Sequence, residues 1–344
     1  MQHVIKKMDR NVIRTDQNKL NYNDVYFTHK YAQLYEEVEK GETQTIYFEN
    51  ELGKVEYTFL KREVPYKIDG KQYYDITTAY GYGGPCIQDC TDPEGLLKEF
   101  NAAFTKYCLE QDIISEFIRF HLFENEEVRT NFDGQVKLMG PHVARNLKQT
   151  MTKNMDKDIL SSVRKAKRNE ITFTIDTSGK HLDEFLFIYY ETMKRNEATS
   201  FYYFDRAFFE KLHHHLEGEI VYIHGYMNDE IVGSLSVIYS DTYGYGFLGG
   251  VLKEYLRYGT SAFLQYQLME WLKEKGVEYF IIGGGYRDKD SLYNYKRKFD
   301  LQGSYPFYTG NKVHNQKIYQ LQNQLRKEEG EFDPETTFFP LYRS

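Results

Sequence analysis

Residues 245–285 read YGFLGGVLKEYLRYGTSAFLQYQLMEWLKEKGVEYFIIGGG, and the order of elements within them decides the fold. A tyrosine/glycine strand end comes first. A helix over 261–276 follows, stopped at Gly276 where a helix terminator is expected. A hydrophobic strand then runs into Gly283, Gly284 and Gly285. Three glycines in a row build neither strand nor helix well, because each loses more backbone entropy on ordering than any other residue. Gly249 and Gly250 likewise allow close approach at the end of the first strand. Between them and the helix, the segment Arg257 to Ser261 offers N–H groups at a helix start, a natural anion site.

Working outward, ITFTID (171–176) reads as a strand, followed by helices at 181–196 and 204–216 and three more strands. After the quoted stretch come a short helix, DSLYNYKRKF (290–299), and a strand, GSYPFYTG (303–310). The first half repeats part of this order. YGYGG (80–84) precedes a helix over 93–112 and the strand IISEFIRF, as YGFLGG precedes a helix and VEYFIIGG. Two copies of one unit, the first more degenerate, account for the spacing. Ahead of the first copy lie a helix at 28–40 and two alternating strands at 43–50 and 54–64. The expected division is 1–155, 156–310, and a helical tail over 311–344, with residues up to Asn21 peripheral.

Composition narrows the function. The chain has 344 residues, enough for two domains, and 41% of them are hydrophobic. A net charge of −7 argues against a general nucleic-acid binder, which needs a broad basic face. The 32 tyrosines, against one tryptophan, suit half-buried surfaces or a large polar cleft. Three cysteines without a second ligand pair read as free thiols, and His213 to His215 point about 100° apart on a helix, so no metal site is expected. No window has the length of a signal core or a membrane span, so a cytoplasmic location is expected.

The whole pattern resembles the FemABX-like aminoacyltransferases and the BioF-like N-acyltransferases, which pair two GNAT-like domains. The resemblance rests on YGYGGP (80–85), SSVRKAKRN (161–169), YYETMKRN (189–196), FLGG (247–250), FLQYQLMEWLKEKG (263–276), IIGGG (281–285) and DSLYNYKRKF (290–299). It implies an α/β protein of two tandem GNAT-like domains, mixed sheets with flanking helices, the acyl donor lying where two strands splay. The complete glycine-rich pyrophosphate loop of acetyl-CoA-dependent members is missing; only Arg257, Gly259 and Ala262 fall in its place. The long helical arm of some tRNA-using members has no counterpart between residues 196 and 220.

From the resemblance, Lys296 stands near the donor linkage, where a fixed ammonium screens phosphate or a developing oxyanion; it is the catalytic candidate, with Tyr295 beside it. The alternative is a solvated charge run. Gly283, Gly284 and Gly285 either leave room for the donor and offer N–H groups to the oxyanion, or only turn the chain. Arg195 resembles an arginine on acceptor phosphate, or else complements its helix dipole. Tyr82 and Tyr245 either line the cleft or pack as ordinary aromatics, Gly250 and Arg257 complete the substrate-binding candidates, and Asp290 either caps its helix or orients the nucleophilic amine. No cysteine or serine sits in a nucleophile context, so direct transfer is expected. The implied function is transfer of an acyl or aminoacyl group to an amine of a small or lipid-linked envelope precursor, a peptidoglycan peptide or a surface-glycan amino sugar. The donor, aminoacyl-tRNA or acyl-CoA, is a co-substrate, with no tightly bound cofactor. The rival reading is a non-catalytic glycan- or glycopeptide-binding protein on the same fold.

Overall fold

The computed structural model describes residues 13–15, 24–286, 289–330 and 336–344, so the expectation for the first twenty-one residues lies largely outside them. The chain forms two compact units. One takes residues 26–138 and the chain from 307 onward; the other takes 139–306 together with the short stretch at Asp24 and Val25. The sequence reading put the boundary at 155/156 and the tail apart. The second unit starts earlier because its chain enters on a strand, and residues after 306 rejoin the first unit's sheet.

In the first unit, α1 (His29–Gln33) and α2 (Glu36–Glu39) replace the single expected helix, broken where Lys40 turns left-handed after α2 and Tyr35 leaves helical geometry between them. Strands β1 (Gly41–Asn50) and β2 (Gly53–Glu63) form a hairpin in continuous register, with Asn50 Oδ1 accepting from the N–H groups of Leu52 and Gly53 in the turn. The tyrosine-rich stretch that follows holds two short strands, β3 (Tyr74–Thr77) and β4 (Cys86–Gln88). Then α3 (Pro93–Glu110) starts with proline after an Asp92 cap, and β5 (Ile113–Arg119) lies parallel to β3. After α4 (Glu126–Thr130), the chain moves into the second unit through β6 (Gln135–Asn146). One face of α3, Leu96, Leu97, Phe100, Phe104 and Cys108, is buried with Phe48, Tyr57 and Phe59 of the sheet.

The second unit continues with α5 (Lys157–Arg168), β7 (Thr172–Asp176), α6 (Leu182–Arg195), α7 (Arg206–His215), β8 (Ile220–Met227), β9 (Glu230–Tyr239) and β10 (Tyr243–Val251). Next come α8 (Thr260–Glu274), β11 (Tyr279–Gly283) and α9 (Ser291–Arg297). Its strand order is β6-β11-β10-β9-β8-β7, with β10 and β11 parallel and the rest antiparallel. Finally β12 (Ser304–Val313) returns the chain to the first unit, where Thr309 to Val313 pair with β5, and α10 (Gln316–Glu328) follows. Each unit therefore contains a parallel strand pair joined by a long helix: β3-α3-β5 and β10-α8-β11. Among the described residues no helix is long and apolar enough to cross a membrane.

Candidate active site

The site is built where β10 and β11 part. Their pairing runs Tyr243–Tyr279, Gly244–Phe280 and Tyr245–Ile281, and goes no further, although both strands continue. Beyond that point β10 is displaced by a bulge between Gly246 and Gly249. Two features hold the bulge. The Ser236 hydroxyl donates to the Leu248 carbonyl at 2.9 Å and accepts from the Leu248 N–H at 3.1 Å. Gly249 takes φ +143, and a Cβ there would run into the Ser234 carbonyl. A bulge bends its strand and sharpens the twist, which opens a notch at the C-terminal ends of the parallel pair.

Three of the sequence candidates meet on the β11 side. The Lys296 ammonium, on α9, donates to the Gly284 carbonyl at 2.7 Å. Gly283 has φ +85, and its Cβ position lies 3.4 Å from that same nitrogen. Loss of water around the half-buried Lys296 pushes its pKa down to about 8, with the Asp290 carboxylate working the other way. Asp290 caps α9: its Oδ1 accepts from the Tyr293 N–H at 2.8 Å and its Oδ2 from the Tyr286 N–H at 2.7 Å. The Tyr295 hydroxyl bonds Ser261 Oγ at 2.9 Å, tying α9 to the first turn of α8.

The glycines answer to the protein's own atoms. A Cβ at Gly284 would sit 2.5 Å from Cδ2 and 2.7 Å from Nε2 of His142, and one at Gly285 would overlap the Asp290 carboxylate. The expectation that they are bare to admit a ligand is corrected to that extent: the space at Gly284 and Gly285 is already taken. Gly250 is corrected in the same way. Its missing side chain admits Thr192 of α6 against β10, not a donor. Arg195, at the end of α6, donates to the Val251 carbonyl at 2.8 Å, which anchors it to the end of β10.

Two tyrosines are corrected as well. Tyr245 is 1% exposed and donates to Asp24 Oδ2 at 2.7 Å, so it lies beneath the sheet surface and lines no open cleft. Tyr82 belongs to the first unit, 5% exposed, with its ring edge-on to Tyr26, His121 and Phe307. Both are core aromatics, and the apolar body of tyrosine suits that use.

The start of α8 has no side chain capping its first amides, as an anion site requires. Gly259 takes φ +83 there, with the Ser162 carbonyl of α5 occupying the place of a side chain. Arg257 is exposed and folds onto Tyr258, its Nη2 2.7 Å from the phenol oxygen. His142 and Ser236 were missed in the sequence reading. Nothing local marks Ser236, and His142 meets Gly284 only through the β6–β11 pairing, near Gly283–Val143. Among the described residues no group of His, Cys, Asp and Glu is placed to hold a metal ion.

Parallel strands that splay, a bulge in the first of them and an uncapped helix start in the segment between them accord with a GNAT-like fold. Residues 153–297 match the family described as Acetyltransferase (GNAT) domain. Among solved structures, that of FemX is similar with a TM-score of 0.67 at 14% identity, covering 87% of this chain and 94% of that one. L-PGS from Bacillus licheniformis gives 0.54 at 12% identity, over 87% of this chain and 97% of that one. The C-terminal domain (DUF2156) of a putative lysylphosphatidylglycerol synthetase from Agrobacterium fabrum gives 0.52 at 13%, over 81% and 86%. No curated protein matches the sequence. The likeness is one of fold, and it bears out the resemblance to FemABX-like proteins and the tandem GNAT-like architecture.

Proposed function

We propose that the chain is an N-acyltransferase that moves an acyl or aminoacyl group onto an amine of a cell-envelope precursor. The observation that carries the reading is the Lys296 ammonium held at the Gly284 carbonyl beside the point where β10 and β11 part. A lysine carries three donors and uses one on that carbonyl, so charge and N–H groups remain for an oxyanion. The acceptor amine attacks the donor's carbonyl carbon; a C–N bond forms, the C–O or C–S bond breaks, and the amine's proton leaves with the departing group. The first turn of α8 and Arg257 would take the donor's phosphates. The pyrophosphate loop is incomplete in sequence, with only Arg257, Gly259 and Ala262 in its place, which favours aminoacyl-tRNA or a longer acyl carrier over acetyl-CoA. The glycan-binding reading rests on tyrosines lining a cleft, and two of the candidates, Tyr82 and Tyr245, are buried.

The test is direct. The chain is incubated with labelled acyl-CoA and, separately, with charged tRNA, each with peptidoglycan-peptide and amino-sugar-nucleotide acceptors. An amide-linked product from one donor is expected. Binding of an acceptor without turnover from either donor would leave the non-catalytic reading standing.

A further inference from the structure

Beside the candidate lysine, one ring has no assigned part. His142 sits on β6, half-buried, with its imidazole packed into the space that any side chain at Gly284 would need. Gly284 in turn is the residue whose carbonyl receives the Lys296 ammonium. The imidazole, the glycine and the amine thus form a stack in which each fixes the next. We propose that His142 is a positioning residue for the transfer, a wedge that sets the Gly284 carbonyl and keeps water from the Lys296 amine. The inference rests on the reading of Lys296 given above, and its test does not require turnover.

Charge supports the geometry. Burial and the neighbouring ammonium push the His142 pKa down to about 3, so near neutral pH the ring is uncharged and acts on the lysine through shape and desolvation, not repulsion. Among the described residues the other charged group acting on the amine is Asp290, from the start of α9, whose carboxylate favours the protonated form. Removing the ring would admit water while leaving Asp290 in place. The admitted water, with Asp290 still present, favours the charged amine.

The experiment is trace labelling of the whole protein with acetic anhydride across pH, reading the Lys296 peptide by mass spectrometry. In the parent chain the Lys296 reactivity should titrate with a midpoint near 8. His142→Ala should raise that midpoint by about one unit or more toward an ordinary lysine. His142→Phe, which keeps a ring, should hold it low. Gly284→Ala, which pushes the imidazole aside from the opposite direction, should raise it as His142→Ala does, and it decides the matter if the histidine variant does not fold. An unchanged midpoint in both alanine variants overturns the inference, as does an ordinary lysine midpoint in the parent. If the shifts occur but no donor gives product, the wedge stands and the assigned reaction falls.

Discussion

Lys296 carries most of the chemistry argued for this chain, and its titration separates roles. Its folded pKa lies near 8, below that of an unfolded lysine. Below pH 8 both states are protonated and the folded one bears the cost of desolvation; as pH rises from 8 toward 10.5 that cost is relieved. If the ammonium stabilises the transition state, turnover falls above pH 8, and Lys296→Met lowers it by roughly ten- to a thousandfold and abolishes that limb. Turnover against pH for both chains, with melting curves alongside, checks this; a rate that climbs through pH 8 would mean the neutral amine is the working form. Lys296 was singled out by its resemblance to the family's aromatic-lysine motif. Its partner was not. That the amine bonds Gly284, and that His142 backs the glycine, depends on β6 lying beside β11, a pairing between segments more than a hundred residues apart.

Among the elements, α9 is the one whose placement matters most, and a single carboxylate starts it. Asp290 satisfies both the Tyr293 and Tyr286 N–H groups. Asp290→Ala should cost about 1–2 kcal/mol and loosen the helix bearing Tyr295 and Lys296. Melting temperature and turnover should fall together; Asp290→Asn, which still caps, should recover most of the stability. A stable but inactive alanine variant would instead give Asp290 a direct part in the reaction. Long periodic elements were plain from sequence: α3, α6, α8 and the β1–β2 hairpin stand within a few residues of their expected limits. Short ones were not. β3 and β4 span four and three residues in a stretch whose tyrosines obscure any alternation, and they are defined by pairing with β2 and β5. The glycines misled for a related reason. A missing side chain says that something is close, and at Gly250 and Gly259 it was another helix.

At the scale of the whole molecule, buried imidazoles in both units set the response to acid. His121 in the first unit and His142 in the second are pushed down to about 3 by burial, and His224 is pushed down too, against the pull of Asp176. A histidine depressed on folding leaves stability intact above its unfolded pKa of roughly 6.5 and forfeits it as pH falls toward the folded value. The Asp176 carboxylate, though burial raises it, is brought down to about 2 by the Ser178 and His181 donors and by His224, and its contribution is lost below the ordinary carboxylate range. The protein should therefore lose a few kcal/mol between pH 7 and pH 5, on the order of 5–10 °C in melting temperature. A melting temperature constant over that interval at fixed ionic strength would contradict the assignment of neutral buried rings.

The return of the chain through β12 has a further consequence, in the order of synthesis. The strand that completes β5 in the first unit is Thr309 to Val313, made only after residues 139–306 have been synthesised. Until then β5 has a neighbour in β3 on one side and an open row of N–H and C=O groups on the other. Domains ordinarily fold in the order they are made. Here the first to begin is the last to finish, and its nascent edge must wait for the whole of the second unit to pass.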